Sequence, residues 1–472
     1  MSEKSQKRAP SGDFLQKGDE LTLDVIDLNN LGCGVGRAPD GRAVFLSGAV
    51  AGDRVRALII KVNQSFAVGK VLEVISPSPH RADGYCGVPA SCGGCVYRYL
   101  TYQKELELKR DYVEHVFRKA GLTDVTVAAV RTTGETRGYR NKAEYPIAKQ
   151  GGHLVGGFYA PKTHRVVPAF GCSLQPAVFS EILHTFCNFY DKLGVEPYDE
   201  ESGKGLLRHL YLREGRATGE LMVCPVINGN ELPQEQEFVK LLLDKFPRIT
   251  SIMVNKNTKS TNVVLGESYR TLYGTPYLED VLCGKRFRIA PASFYQVNHD
   301  AAELLYGLAA ERTGLDGTGL LLDLYCGAGT IGLSMADRVG EVIGIEIVPA
   351  AVACANVNKS LNGIENAHFY CGDAANAEGL LAPVERERGI LRPDVVILDP
   401  PRKGCDAQLL DFLAARAVPR IVYVSCGPDT LARDCAHLRA LGYEIGVVTP
   451  VDLFPRTGHV ESVACLKRQI QQ

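Results

Sequence analysis

Along residues 20–28 apolar and polar positions alternate, with Leu21, Leu23 and Val25 on one face. A Gly-rich stretch and a Pro39-Asp40-Gly41 turn follow, and residues 43–46, 53–62 and 66–75 read as further short strands. Such alternation predicts strands with one buried face. About five of them in so short a segment predict a small barrel of the oligonucleotide-binding (OB) type. Ser76-Pro77-Ser78-Pro79 interrupts the pattern, and residues 100–121 follow with helix-forming composition and a terminal glycine suited to a C-cap. Residues 122–290 mix strands and helices, with a helix expected over 234–246, and yield no topology. From residue 291 the chain turns regular. Apolar runs at 320–324, 342–347, 395–398 and 421–424 alternate with helical stretches near 330–336, 350–361 and 409–417, the pattern of a doubly wound parallel sheet. The expected fold is α/β: an OB-like barrel over 14–76, an α+β central domain over 80–290 and a Rossmann-like domain over 291–472.

A sheet of this kind binds ligands at the carboxyl ends of its strands, and the candidate chemistry sits there. The run 320–324 leads into Tyr325-Cys326-Gly327-Ala328-Gly329-Thr330-Ile331-Gly332, a strand entering a glycine turn that opens a helix. Glycines let the backbone approach a nucleotide-like ligand, and Glu346, closing the next strand, is placed to accept from ribose hydroxyls. Gly327-x-Gly329-x-x-Gly332 alone also fits NAD, and a tight turn without ligand. Two later strand ends carry Asp399-Pro400-Pro401-Arg402-Lys403-Gly404 and Ser425-Cys426-Gly427-Pro428. The prolines stiffen the loop that holds Asp399, and Cys426 stands where a strand stops and a thiol can face a cleft. Near the end of the chain His459 and Glu461 lie two apart, on one face if extended.

Composition adds little except in charge and cysteine. The 472 residues are 45% hydrophobic and 23% charged, ordinary globular values that exclude disordered and collagen-like classes. No apolar run approaches a membrane span, and residues 1–10 are polar, so a cytoplasmic protein without a signal peptide is expected. Residues 1–150 carry 22 basic against 17 acidic residues and the remainder 31 against 37, which places any polyanion-binding surface toward the N-terminal part. Fifteen cysteines argue against a disulfide framework. Cys86, Cys92 and Cys95 are clustered, and a tetrahedral zinc or a cubane cluster needs a fourth ligand.

Taken together, Asp323-Leu324-Tyr325-Cys326-Gly327-Ala328-Gly329-Thr330, the Asp399 loop, Ser425-Cys426-Gly427-Pro428-Asp429-Thr430-Leu431-Ala432-Arg433-Asp434 and His459-Val460-Glu461-Ser462-Val463 resemble the RNA 5-methyluridine methyltransferase family. Phe294-Tyr295-Gln296-Val297-Asn298 resembles that family's segment contributing a glutamine to the donor site, Gly138-Tyr139-Arg140-Asn141-Lys142 its central-domain motif, and the barrel its TRAM domain. Gly427 departs from the family, where many members carry Asn.

The resemblance implies methylation of uracil C5 by S-adenosylmethionine. Cys426 is the expected nucleophile, Glu461 the base, and Asp399 a hydrogen-bonding group where donor and uracil meet. Gln296, Tyr325, Gly327, Gly329, Thr330, Glu346, Asp373 and Asp399 are the expected donor site. Arg140, Phe294 and Arg402 are the expected RNA contacts. The family's iron-sulfur members have a three-plus-one cysteine arrangement, so Cys172 in Gly171-Cys172 is the expected partner of Cys86, Cys92 and Cys95 in a [4Fe-4S] cluster, with zinc the alternative. Members combining barrel and cluster tend to act on ribosomal RNA, which makes 23S rRNA the expected substrate and tRNA the second. No membrane and no obligate protein partner are expected. Two rivals are a non-catalytic RNA-binding protein and an NAD-dependent iron-sulfur oxidoreductase.

Overall fold

The computed structural model describes residues 15–469 apart from 30, 85, 377, 378, 380, 382, 383, 387 and 388. Residues 1–10, position 14 of the expected barrel and residues 470–472 lie outside the described residues. The chain divides into two units, one of Met1–Cys86, Gly93–Tyr112 and Phe454–Gly458, the other of Gly87–Cys92, Val113–Leu453 and His459–Gln472.

In the first unit six strands form one sheet in the order Glu20–Asp24, Arg54–Val62, Phe66–Ser76, Ala43–Ser47, Cys33–Arg37, Asp27–Leu28. The two outer strands are consecutive pieces of one extended stretch. Its first half pairs with Arg54–Val62 and its second with Cys33–Arg37, and the Ile26 N–H donates to the Val35 carbonyl between them. The sheet therefore closes into a barrel, and the alternate residues Leu21, Leu23, Val44, Leu46, Val55, Ala57 and Ile59 fill it. The Gly-rich stretch between the expected strands is itself the strand Cys33–Arg37. A Cβ on Gly34 would lie 2.8 Å from both Ala49 Cβ and Val25 Cγ1, so only glycine lets this strand pass so close to its neighbours.

Asp53 ties the barrel to the segment that follows. It is 1% exposed and accepts from the N–H groups of Val50 (2.6 Å) and Ser78 (2.8 Å) and from Arg81 Nε and Nη2 (3.0 and 2.6 Å). Burial pushes its carboxyl up, but Arg81 and the two amides outweigh this and hold it below the usual carboxylate range. A depressed folded value means that the stabilisation is complete at neutral pH and is lost as pH falls through that value. Asp53→Ala is expected to cost about 3–5 kcal/mol, because a buried guanidinium and two amides lose their partner. Chemical denaturation of the two proteins checks this, and Asp53→Asn should flatten the acid limb of the stability curve.

The helix Tyr102–Lys119 begins in this unit. Its Glu105 and Lys109, one turn apart and 0% and 1% exposed, pair at 2.7 Å. Glu105 also receives the Arg456 backbone N–H at 2.7 Å and its guanidinium at 3.4 Å, and Lys109 Nζ donates to the Phe454 carbonyl at 3.2 Å. Segment Phe454–Gly458, from near the end of the chain, is held to this helix by charge-assisted bonds.

The second unit contains two large sheets. Seven strands order as Ser268–Gly274, Ile249–Lys256, Leu221–Ile227, Leu207–Glu214, Lys142–Gln150, His153–Tyr159, Val166–Pro168. All neighbours are antiparallel except Leu221–Ile227 with Ile249–Lys256. Helices Ala177–Lys192 and Glu235–Lys245 bury Phe179, Phe186 and Phe238 against the unit's core. The central strands are buried on both faces, which erases the alternation a sequence reading depends on. The other sheet orders as Ala367–Cys371, Glu341–Glu346, Leu320–Leu324, Val395–Leu398, Arg420–Ser425, Glu461–Arg468, Tyr443–Ile445, with Thr449–Val451 also pairing to Glu461–Arg468. The first five strands are parallel and Glu461–Arg468 is antiparallel to them.

Candidate active site

Strand Leu320–Leu324 lies where the strand order reverses, with Glu341–Glu346 on one side and Val395–Leu398 on the other. An open parallel sheet leaves a crevice at this point, beyond the strands' carboxyl ends. Tyr325 leaves the strand at a φ of 67°, the left-handed region, and Gly327 and Gly329 follow at 56° and 79° before helix Thr330–Met335. Glu346 braces the turn: its two carboxylate oxygens receive the N–H groups of Gly327 (3.0 Å) and Val348 (2.9 Å). Each oxygen keeps a lone pair for a ribose hydroxyl. The Tyr306 hydroxyl lies 3.3 Å from Thr330 Oγ1, and Gln296 is 9% exposed. Asp373 stands exposed beyond Ala367–Cys371, and its charge is felt at the Tyr325 hydroxyl. Asp323 received no role from the sequence. It is 0% exposed, its Oδ2 receives the Gly332 N–H at 2.9 Å, and burial pushes it up to about 8.

The neighbouring strand ends bring a thiol and two acids together. Leu398 pairs with Tyr423, and Ser425 pairs with Ser462 across the antiparallel ladder. Cys426 and Glu461 follow directly on this last pair, and the charges of Glu461 and of Asp399, at the adjoining strand end, are felt at the thiol. Burial pushes Asp399 up to about 7. Glu461 is pushed up to about 8, first by burial, then by Asp399, with Arg402 opposing. The half-buried Cys426 thiol is pushed up to about 11 by burial, Glu461 and Asp399, again with Arg402 opposing. A desolvated carboxyl titrating near neutrality is suited to proton transfer. Cys426 also immediately precedes the N-cap of helix Pro428–Ala440, whose positive end favours a thiolate. A cation bound in the crevice would draw all three groups toward their charged forms.

Motifs far apart in sequence also meet. Arg140 bridges to Asn298, the Asn141 N–H donates to the Val297 carbonyl at 2.8 Å, and Asn141 Nδ2 donates to the Gln296 carbonyl at 2.9 Å. Asn141, 1% exposed, thus fixes the segment that presents Gln296. Its signal in the sequence was its place inside a quoted motif. Arg140 is half-buried, Arg402 is exposed, and Phe294 is 70% exposed.

The cysteines divide between the units: Cys86 and Cys95 belong to the first, Cys92 and Cys172 to the second. All four are half-buried. Among the described residues no group of three or more His, Cys, Asp or Glu is arranged to hold a metal ion, so the expected cluster draws no support from the structure.

An acid-braced glycine turn at a switch point, beside an Asp-Pro-Pro strand end, defines the class as an S-adenosylmethionine-dependent methyltransferase. Comparison with known proteins narrows it. Residues 277–469 match the family model described as tRNA (Uracil-5-)-methyltransferase, and residues 15–72 match the TRAM domain. An uncharacterized RNA methyltransferase of Clostridium acetobutylicum is 38% identical over 457 residues, covering 96% of this chain and 98% of the relative. One from Staphylococcus aureus is 39% identical over 452 residues, covering 95% and 98%. The crystal structure of the Pyrococcus abyssi tRNA (uracil-54, C5)-methyltransferase in complex with S-adenosyl-L-homocysteine superposes with a TM-score of 0.75 at 25% identity, covering 94% of this chain and 100% of that one. The chain belongs to the RNA 5-methyluridine methyltransferase family, and its methyl donor is S-adenosylmethionine. The TRAM domain is the barrel, and the α/β fold expected from the sequence is the fold observed. No helix among the described residues is long and apolar enough to cross a membrane.

Glu346→Ala removes the brace on Gly327 and the carboxylate expected to accept from the ribose. S-adenosylhomocysteine binding, measured by calorimetry, is expected to weaken by about 2–3 kcal/mol, the scale of a lost charge-assisted hydrogen bond together with an unpaired amide.

Proposed function

We propose that this enzyme methylates C5 of a uracil in 23S rRNA through a covalent adduct on Cys426. The observation that supports the reading is that Cys426, Glu461 and Asp399 stand at neighbouring strand ends, near enough for both acids to act on the thiol. Uracil C5 is too weak a nucleophile to take a methyl group unaided. Cys426 Sγ adds to C6, and the C5–C6 π pair moves toward O4. The enolate-like C5 takes the methyl group from the donor's sulfonium, whose S–CH3 pair stays on sulfur. Glu461 removes the C5 proton; the C–H pair restores the C5–C6 double bond, and the C6–S pair leaves with Cys426. Asp399 hydrogen-bonds at the donor–uracil junction. Gln296, Tyr325, Gly327, Gly329, Thr330, Glu346 and Asp373 hold the donor. Arg402 and Arg140 position the RNA, and exposed Phe294 offers a stacking face for an unstacked base.

In this reading residues 14–76 and 80–290 grip RNA, residues 291–472 carry the chemistry, and the enzyme works in the cytoplasm. A tRNA substrate is the second reading, favoured by the family model and by the likeness to the Pyrococcus abyssi tRNA enzyme. The [4Fe-4S] cluster on Cys86, Cys92, Cys95 and Cys172 rests on sequence spacing and family resemblance, and iron and sulfide analysis of anaerobically purified protein tests it. The deciding experiment is methyl transfer from labelled donor to undermethylated 23S rRNA and to tRNA, with mass-spectrometric mapping. 5-Methyluridine in 23S rRNA alone is the expected result. Product in tRNA alone moves the substrate to the second reading, and no product in either overturns the proposal.

A further inference from the structure

Asp434 has no part in the chemistry just described, yet it is 2% exposed and fully engaged. Its Oδ2 receives the Tyr423 hydroxyl at 2.6 Å and the Cys405 N–H at 2.8 Å, and its Oδ1 receives Arg433 Nε at 2.8 Å. Arg433 Nη2 donates onward to the carbonyls of Lys403 (3.0 Å) and Cys405 (3.2 Å). Thr430 Oγ1 lies between the carbonyls of Arg402 (3.3 Å) and Gly427 (2.9 Å). Most of these bonds run between two loops: the one that follows Asp399 and carries Arg402, and the one that carries Cys426 into its helix.

The fit between the loops leaves no slack. Gly404 stands at a φ of 77°, and a Cβ there would lie 2.6 Å from Arg433 Nη2, 2.7 Å from Asp434 Oδ2 and 3.0 Å from Thr430 Cβ. Two strand ends that share no sequence proximity are thus fastened at one buried carboxylate.

We propose that Asp434 is a positioning residue that holds the Arg402 loop and the Cys426 loop in register, so that the thiol and Asp399 face one reacting centre. The inference rests on the proposed chemistry, since it names what the hub positions. Each loop runs from a strand into a helix, and the bonds at the hub are what fasten one loop to the other. Without the hub they separate, and a displacement of about 1 Å at a reacting centre costs up to about 100-fold in rate although no reacting group has been removed.

Asp434→Asn keeps the shape and leaves one oxygen for Tyr423 and Cys405, but sets an amide N–H against Arg433 Nε and opens the link to Lys403. The expected result is a kcat lower by about 10- to 100-fold, with KM for the donor and S-adenosylhomocysteine affinity within about twofold of wild type. Alkylation of Cys426 by iodoacetamide in the S-adenosylhomocysteine complex should change in rate, because the thiol no longer holds one position. Tyr423→Phe, which removes a single donor, gives a smaller change in the same direction and carries the test if Asp434→Asn does not fold. A folded variant with unchanged kcat and alkylation overturns the proposal, as does a loss of kcat accounted for entirely by the fraction of unfolded protein. If the wild-type protein methylates no RNA, the chemistry fails instead, and the alkylation comparison still decides whether Asp434 positions the thiol.

Discussion

Replacing Cys426 by alanine is expected to lower methyl transfer by roughly 10^4-fold or more, the scale on which enzymes lose rate when the nucleophile is removed, while RNA and S-adenosylhomocysteine binding stay close to wild type. In the proposed chemistry the thiol makes the bond that activates C5, and the neighbouring Asp399 and Glu461, acids held up by burial, do not replace it. Filter binding alongside the transfer assay separates this outcome from a misfolded variant. It also separates the enzyme from a protein that only binds RNA, which has no methyl transfer to lose. The environment of the thiol gives a second reading of the same residue. The Glu461 carboxylate opposes formation of the thiolate, so Glu461→Gln removes a negative neighbour and lowers the Cys426 pKa from about 11. At a fixed pH below that value, alkylation of Cys426 in Glu461→Gln should be faster than in wild type. A slower rate would mean that Glu461 draws the proton from the thiol in the resting protein.

Glu461→Gln should also halt turnover after methyl transfer. Glutamine cannot take the C5 proton, so Cys426 cannot leave, and the methylated RNA stays covalently attached to the protein. A heat-stable protein–RNA adduct, visible as a shifted band in a denaturing gel, should accumulate to about one per active site while steady-state turnover falls by roughly 10^2- to 10^4-fold, the range for loss of a general base. Labelled donor places the methyl group in the adduct. Absence of an adduct alongside lost methyl transfer would give Glu461 an earlier role, and undiminished turnover would assign the base to another group.

Much of the catalytic fold was legible because its strands are continuous apolar runs ended by glycine or proline. Leu320–Leu324 and Val395–Leu398 were read with the bounds they have. Glu346 and the glycine turn were legible because a ribose-binding acid at the next strand end has a mechanical reason to be there. The central sheet was not: Leu207–Glu214 and Leu221–Ile227 are buried on both faces, so they alternate nowhere, and the parallel pairing of Leu221–Ile227 with Ile249–Lys256 spans the helix Glu235–Lys245. Strand Cys33–Arg37 was hidden because glycine reads as a break when no neighbour is known. Cys426 and Glu461 were legible singly, from family resemblance, whereas their nearness depends on Glu461–Arg468 running antiparallel beside Arg420–Ser425, which no local pattern encodes. Asn141 and Asp434 lay inside quoted motifs without a role, because their work is done through backbone groups distant in sequence.

The bonds from Glu105 and Lys109 to Phe454 and Arg456 bear on how the protein is made. A ribosome delivers the barrel and the start of helix Tyr102–Lys119 long before it reaches Phe454, so throughout synthesis two charged side chains lack the backbone groups they will be buried against. The earliest part of the chain to emerge is therefore among the last to be completed. A chain truncated before Phe454 leaves Glu105 and Lys109 without these backbone partners, so the N-terminal unit is completed only when the far end of the message has been translated.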